Sequence, residues 1–173
     1  MPLIPNEINQ LNVVSFQTNF HRLPNTNYFC QRIDIPAINL GVAVNPTPFS
    51  DVSIAGDKLA FEQFAMNFIV NEDLSNYFEI YNWLIALGFP DNHEQFVLKH
   101  SNFNTSIKDK TTSDMNVVIN TNKSNPNYII NFKEVFPVSL GSLSLDAAAT
   151  SMEPLVVDAT FEFLGSFSID KIT

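Results

Sequence analysis

Apolar and polar residues alternate along two segments near the start of the chain. Residues 14–20 place Val14, Phe16, Thr18 and Phe20 on one face, and residues 29–35 repeat the alternation. Successive side chains of a strand point to opposite faces, so both segments are predicted to be half-buried strands. The turn-forming residues 23–27 lie between them, and the pattern therefore predicts a β-hairpin. Residues 37–58 show little periodicity and are predicted to form a long functional loop.

The clearest helix signal follows a third alternating segment, residues 64–70. Asn71-Glu72-Asp73 is typical of a helix start, and Gly88 with Pro90 is typical of a helix end. Apolar residues recur between these limits at spacings of three and four, which is the period of a helix with one buried face. We expect the core-facing residues to be Leu74, Phe78, Tyr81 and Leu84.

The last third of the chain again predicts strands. Residues 91–114 form a second expected loop, and residues 117–120 and 128–132 flank a turn. In the final strand, predicted from residue 155 to about 167, one face carries Val157, Ala159, Phe161 and Phe163. The other face carries Asp158, Thr160 and Glu162.

The predicted fold is mainly β (α+β). We expect an antiparallel β-sandwich or partial barrel of six to seven strands with one α-helix. Residues 1–13 are predicted to be an N-terminal arm, and residues 14–173 a single domain.

Composition favours a protein that packs against neighbours. Charged residues are 16% of the chain, against about 25% in an average soluble domain. The chain has nine basic and eighteen acidic residues, and the net charge of −9 argues against affinity for nucleic acid. The single cysteine excludes an internal disulfide. The N-terminal residues resemble neither a signal peptide nor a transit peptide, and no apolar segment is long enough to span a bilayer.

No constellation of catalytic residues is apparent. His21, His93 and His100 lack the spacing of a metal site, and Cys30 lies in an alternating strand, which is typical of a packed thiol. We therefore expect no enzyme activity, no metal and no cofactor. Two alternatives remain at this point: a β-sandwich binding module with residues 37–58 as a ligand rim, and a metal-independent hydrolase.

Several motifs in a fixed order resemble the tail-tube-fold proteins of contractile-tailed, T-even-like bacteriophages. The resemblance covers residues 14–168 and rests on Ile35-Pro36, Ile54-Ala55-Gly56-Asp57, the acidic turn 71–73, Tyr81-Asn82-Trp83-Leu84, Val135-Phe136-Pro137 and Leu143-Ser144-Leu145-Asp146. Residues 76–92 are most similar to tail completion and sheath-stabiliser proteins.

This resemblance implies a virion structural protein that forms a hexameric ring at the end of the tail tube, as a tail completion or tube terminator ring. The major tail tube subunit is the alternative. Expected partners are copies of the chain and other tube, sheath or neck proteins, with no membrane. DNA would pass through the lumen without specific binding, and the virion tail would assemble in the host cytoplasm.

Two sets of residues receive roles under this hypothesis. An acidic inner wall would repel DNA and let it pass. We assign the lumen face to Asp158, Thr160 and Glu162, and the contacts between rings to a loop containing Pro46, Pro48, Phe49, Gly56 and Asp57.

Overall fold

The computed structural model describes residues 10–12, 14–88, 111–148, 150 and 153–172. These residues form nine strands and two helices. In chain order they are β1 (Phe16–Phe20), α1 (Pro24–Phe29), β2 (Cys30–Asp34), β3 (Ile38–Pro46), β4 (Asp51–Phe61), β5 (Phe64–Ile69), α2 (Ser75–Gly88), β6 (Ser113–Asn120), β7 (Pro126–Leu140), β8 (Val156–Glu162) and β9 (Ser168–Lys171).

Seven strands form one antiparallel sheet, in the order β1-β6-β7-β8-β5-β2, and β9 pairs with β7. The long strand β7 pairs with β6 and β9 through its first part and with β8 from Phe136 onward. Glu134, whose φ is 51°, lies just before this change of partner. We call β1, β6, β9 and the first part of β7 sheet A, and β2, β5, β8 and the last part of β7 sheet B. The mainly β fold class is confirmed.

The core lies between the two sheets. Strands β5 and β8 alternate as predicted, with Phe64, Met66 and Phe68 buried on one and Val157, Ala159 and Phe161 on the other. The ring of Phe64 stacks on that of Phe161, with the ring centroids 5.3 Å apart. Burial of large aromatic side chains supplies much of the hydrophobic stabilisation of a fold. The predicted β6–β7 turn is also confirmed by the register of these strands.

The predicted hairpin of residues 14–35 is wrong. Strand β1 pairs with β6, β2 pairs with β5, and the segment between them is the helix α1. Pro24 suits the first turn of a helix, but α1 also depends on a distant residue. The Glu79 carboxylate accepts hydrogen bonds from the backbone N–H groups of Asn25 and Thr26 at 3.4 and 3.2 Å.

The predicted loop of residues 37–58 is wrong as well, because most of it belongs to the β3–β4 hairpin. Leu40 pairs with Leu59 and Val42 with Ala55, so Gly41 alone faces three residues of β4. This bulge interrupts the two-residue period, which explains why the pattern was not recognised as two strands. A Cβ atom on Gly56 would collide with the backbone carbonyl of Gly41, so the bulge requires glycine there.

Two strand boundaries also differ from the prediction. Pro137 does not begin a connection, because it lies buried inside β7 opposite Phe161. The strand predicted to reach about residue 167 ends at Glu162, and a further strand that was not predicted, β9, begins at Ser168. Between them Gly165 adopts a φ of 81°, a conformation that favours glycine.

The helix α2 is confirmed, but the predicted core face is wrong for two of its four residues. Phe78 and Tyr81 are 47% and 44% exposed. The buried residues are instead Asn76, Ile80, Trp83 and Ala86. Leu84 packs partly against the core, and Leu74 is half-buried just before the helix. Apolar residues occur on more than one side of α2, so spacing alone did not select the face. Most of the predicted loop 91–114 lies outside the described residues.

Candidate assembly surfaces

The β3–β4 hairpin is fixed at its base and exposed along its length. At the base, the ring of Phe61 contacts those of Phe163 and Phe167 at 6.1 and 5.6 Å between centroids. The N–H of Glu62 donates to the carbonyl of Ala37 at 3.1 Å. Beyond this base every residue of the two strands is exposed except the half-buried Gly56. Among the described residues, β3 and β4 pair only with each other.

One face of this hairpin is a stripe of large apolar side chains, which we call the apolar ribbon. Cross-strand pairing places its members on the same face, and each is 49–64% exposed. The apolar ribbon consists of Ile38, Leu40, Val42, Val44 and Leu59. Exposed contiguous apolar surface of this kind marks interaction sites.

The five residues assigned to the ring-contact loop lie on this hairpin, but not in one loop. Pro48 and Phe49 lie in the turn at the tip, where Phe49 is 99% exposed. Pro46 ends β3, whereas Gly56 and Asp57 lie within β4 at the bulge. The sequence pattern of residues 37–58 does not indicate the apolar ribbon, because the bulge at Gly41 interrupts the two-residue period.

Sheet B carries a polar face on the side away from the core. Asp158, Thr160 and Glu162 share it, as their alternation with buried residues requires. Asp158 lies opposite Asn67, and the Gln63 side chain donates to Glu162 at 2.7 Å. Cross-strand pairing adds residues that the sequence did not indicate: Arg32, Asp34 and Ser139.

The charges on this polar face are mostly negative. Arg32 Nε lies 2.9 Å from Asp34 Oδ1, and both side chains are exposed. Asp158 and Glu162 have no cation opposite them in the sheet register. One arginine against three carboxylates gives a net charge of −2 on this face of each copy.

A cleft of about 530 Å³ separates the free edges of β1 and β2. Within the described part of the chain, β1 pairs only with β6 and β2 only with β5. The cleft is lined mainly by apolar side chains, from Leu11, Phe16, Ile33, Ile35, Val117 and Ile119. We call it the edge cleft.

A side chain from α1 pairs with the backbone at the end of strand β1. There the Phe20 N–H donates to Asn27 Oδ1 at 3.0 Å, and Asn27 Nδ2 donates to the Phe20 carbonyl at 2.8 Å. This side chain satisfies the edge of β1 as a neighbouring strand would. The Cys30 thiol donates to the Arg32 carbonyl at 3.6 Å, and burial raises the pKa of this thiol.

The described residues show no group that suggests metal-dependent catalysis. In this part of the chain, no three His, Cys, Asp or Glu residues are arranged to hold a metal ion. His21 is exposed, whereas His93 and His100 lie outside the described residues. No helix in the described ranges is long and apolar enough to cross a membrane.

Searches by sequence find no matching family model and no matching curated protein. Three solved structures are similar over nearly the whole chain. A chain of the sheath–tube complex of PVC, an extracellular contractile injection system in its extended state, has a TM-score of 0.60 at 13% identity, covering 94% of this chain and 93% of the other. A chain of the tube terminating cap of the anti-feeding prophage AFP has a TM-score of 0.59 at 13% identity, covering 99% and 100%.

The third structure is the PVC sheath/tube terminator in the extended state. Its chain has a TM-score of 0.55 at 15% identity, and the match covers 94% of this chain and 97% of the other. Identities this low establish the fold and no more. The chain therefore has the tail-tube fold found in tube and terminator components of contractile injection systems, as its resemblance to tail-tube proteins predicted.

Proposed function

We propose that this protein is a structural subunit of a bacteriophage contractile tail that forms a hexameric ring at the end of the tail tube. DNA passes through this ring, and the protein has no catalytic role. The observation that carries the proposal is the apolar ribbon, held out from the domain on a fixed hairpin. Support for its place in the tail comes from the fold shared with the AFP tube terminating cap, whose chain is matched over 100% of its length.

The apolar ribbon is energetically suited to hold copies together. Complete burial of one Val, Leu or Ile side chain is worth about 1.5–3 kcal/mol relative to exposure. The five ribbon side chains are each about half exposed, so their burial against a neighbour offers several kcal/mol per contact. In a ring, each copy makes the same heterologous contact with the next, and rotation closes the set.

The polar face of sheet B is the surface we assign to the lumen. With a net charge of −2 per copy, six copies would carry −12 around the axis. Such a wall repels a passing polyanion, whereas a basic wall would retain it by counterion release. Repulsion between these acidic side chains is small because physiological salt screens charge–charge interactions beyond about 8 Å.

Native mass spectrometry tests the ring. We expect a species of six copies of the 19.4 kDa chain, about 116 kDa, either alone or on isolated tail tubes. The double variant Val42→Asn with Val44→Asn should abolish it, whereas the matched changes Ala43→Asn and Asn45→Ser on the opposite face should not. A chain that stays monomeric at all concentrations and on tubes would refute the proposal.

The lumen assignment has a separate test. We expect Asp158→Lys with Glu162→Lys to fold normally, to assemble, and to slow DNA ejection from assembled particles. Glu72→Lys, which reverses an exposed acid before α2, is the control. Unchanged ejection kinetics, or a particle structure with these two side chains on the outer surface, would rule out the assignment.

The major tube subunit remains the second candidate. The similarity to a chain of the PVC sheath–tube complex, with a TM-score of 0.60, is the observation that favours it. Copy number per particle distinguishes the two, because a terminator contributes one ring and a tube subunit contributes many. Quantitative mass spectrometry of purified particles measures this number directly.

A further inference from the structure

We infer that residues 1–9 of each copy dock in the edge cleft of the same copy, where they cover the free edges of β1 and β2. The occupant is a segment of this chain that lies outside the described residues. The contact forms within a single copy, so it does not depend on the proposed ring. Its role is to keep an unassembled copy from pairing edge to edge with other chains.

The edge cleft is an apolar surface that the described residues leave open. Leu11 and Ile35, which line it, are 62% and 39% exposed, and Phe16, Ile33 and Ile119 are only half-buried. In the described part of the chain, β1 has a partner strand on one side only, and so does β2. Unpaired strand edges and contiguous exposed apolar side chains both favour a segment that covers them.

The segment before Gln10 starts at the cleft itself. The Gln10 carbonyl accepts a hydrogen bond from Asn122 Nδ2 at 3.0 Å, and Leu11 and Asn12 both line the cleft. The Ser15 N–H donates to the Asn12 carbonyl at 3.4 Å, which is the hydrogen bond of a β-turn. Because this turn reverses the chain just ahead of β1, the preceding residues need no further turn to reach the cleft.

The length and composition of the segment also fit the cleft. At least nine residues precede Gln10, and nine extended residues span up to about 30 Å. Strands β1 and β2 have five residues each, which corresponds to about 17 Å. Leu3, Ile4 and Ile8 supply large apolar side chains, and Glu7 is the only charged side chain of the segment.

Tethering favours the segment of the same copy over that of another copy. A group on a short tether has an effective concentration in the millimolar range at a site it can reach. Gln10 and Leu11 provide such a tether, because both lie at the cleft. When the protein is present at micromolar concentration, docking within one copy is therefore favoured by about 1,000-fold.

Disulfide trapping tests the contact in the full-length chain, in a Cys30→Ser background and at low micromolar concentration. Ile8→Cys with Ile35→Cys should oxidise to a monomer in which positions 8 and 35 are linked, as detected by mass spectrometry of unreduced peptides. The matched control pairs Ile8→Cys with Leu145→Cys, because Leu145 is 85% exposed and does not line the cleft. The control should give at least tenfold less linked monomer.

Amide hydrogen exchange provides a second readout. Ile4→Asn with Ile8→Asn removes apolar side chains from the segment and should accelerate exchange at the edge amides of β1 and β2 at least fivefold. Exchange in the core strands β5 and β8 should not change, which shows that the fold is intact. Asn6→Ser with Asn9→Ser is the control and should leave the edge amides as they are in the original chain.

Any one of three results would overturn the inference. The first is an equal yield of linked monomer from the two cysteine pairs. The second is a product that is linked only between two chains, which would assign the edge cleft to the N-terminal segment of another copy. The third is unchanged exchange at the edge amides in the Ile4→Asn, Ile8→Asn variant. A failure to form the ring would instead count against the proposed function.

Discussion

Replacing Glu79 by alanine should destabilise the protein through a helix to which Glu79 does not belong. Glu79 lies on α2, and its carboxylate accepts four hydrogen bonds from α1. The donors are the Asn25 N–H and Nδ2 groups, at 3.4 and 2.7 Å, and the Thr26 N–H and Oγ1 groups, at 3.2 and 3.1 Å. Leu23, at the N-cap position, makes no side-chain capping bond, so Glu79 serves as the cap from a distance.

The magnitude follows from what each donor loses. Thr26 is fully buried, and its N–H would lose this acceptor, which costs about 1–3 kcal/mol. Its hydroxyl keeps a second acceptor, the Asn76 carbonyl at 3.2 Å. Asn25 is exposed and would bond to water instead. We therefore expect a loss of about 2 kcal/mol, within the range for N-cap removal. Glu79→Gln keeps one acceptor oxygen and should lose about half as much.

Thermal and urea denaturation measure the effect. For a chain of this length, 1 kcal/mol corresponds to about 2–4 °C, so Glu79→Ala should lower Tm by about 4–8 °C. Glu72→Ala removes an exposed acid outside this network and should change stability by less than about 0.5 kcal/mol. Amide exchange at Thr26 should also accelerate. Equal Tm values for Glu79→Ala and Glu72→Ala would show that α1 does not depend on this carboxylate.

Three further predictions test the packing and the hairpin. Ile80→Ala should lower the free energy of unfolding in urea by about 2–5 kcal/mol, whereas Phe78→Ala should lower it by less than about 1 kcal/mol because its ring is half exposed. A larger loss for Phe78→Ala than for Ile80→Ala would show that the core-facing side of α2 is the one predicted from sequence. Gly56→Ala should impair ring assembly in native mass spectrometry but leave the core intact. Gly88→Ala, with open space around its Cβ position, should affect neither ring assembly nor the core. Intact rings from Gly56→Ala would contradict the bulge geometry. Because burial raises the pKa of Cys30, alkylation of its thiol at pH 8 should be slower in the folded chain than in the urea-unfolded chain. The contribution of this thiol to stability should be lost as pH rises above the thiol pKa of the unfolded chain. Equal alkylation rates in the folded and unfolded chains would refute the raised pKa.

Features that depend on local periodicity can be predicted from the sequence alone. The alternation in β5 and β8 predicted which side chains are buried, and both faces were confirmed. The position of α2 followed from its flanking start and stop signals, and the β6–β7 turn from its turn residues. A two-residue or 3.6-residue period states which face of an element is apolar, and neighbouring residues alone encode it.

Contacts between distant parts of the chain determine which elements lie side by side. The two segments around residues 23–27 alternate like a hairpin, but β1 and β2 pair elsewhere, and a carboxylate from α2 caps the helix between them. The same separation opens the edge cleft, which no local pattern could reveal. On α2, apolar residues occur on several sides, so packing against the sheets selected Ile80 and Trp83 over Phe78. Periodicity carries no information about strand partners, because pairing and burial depend on residues far apart in the chain.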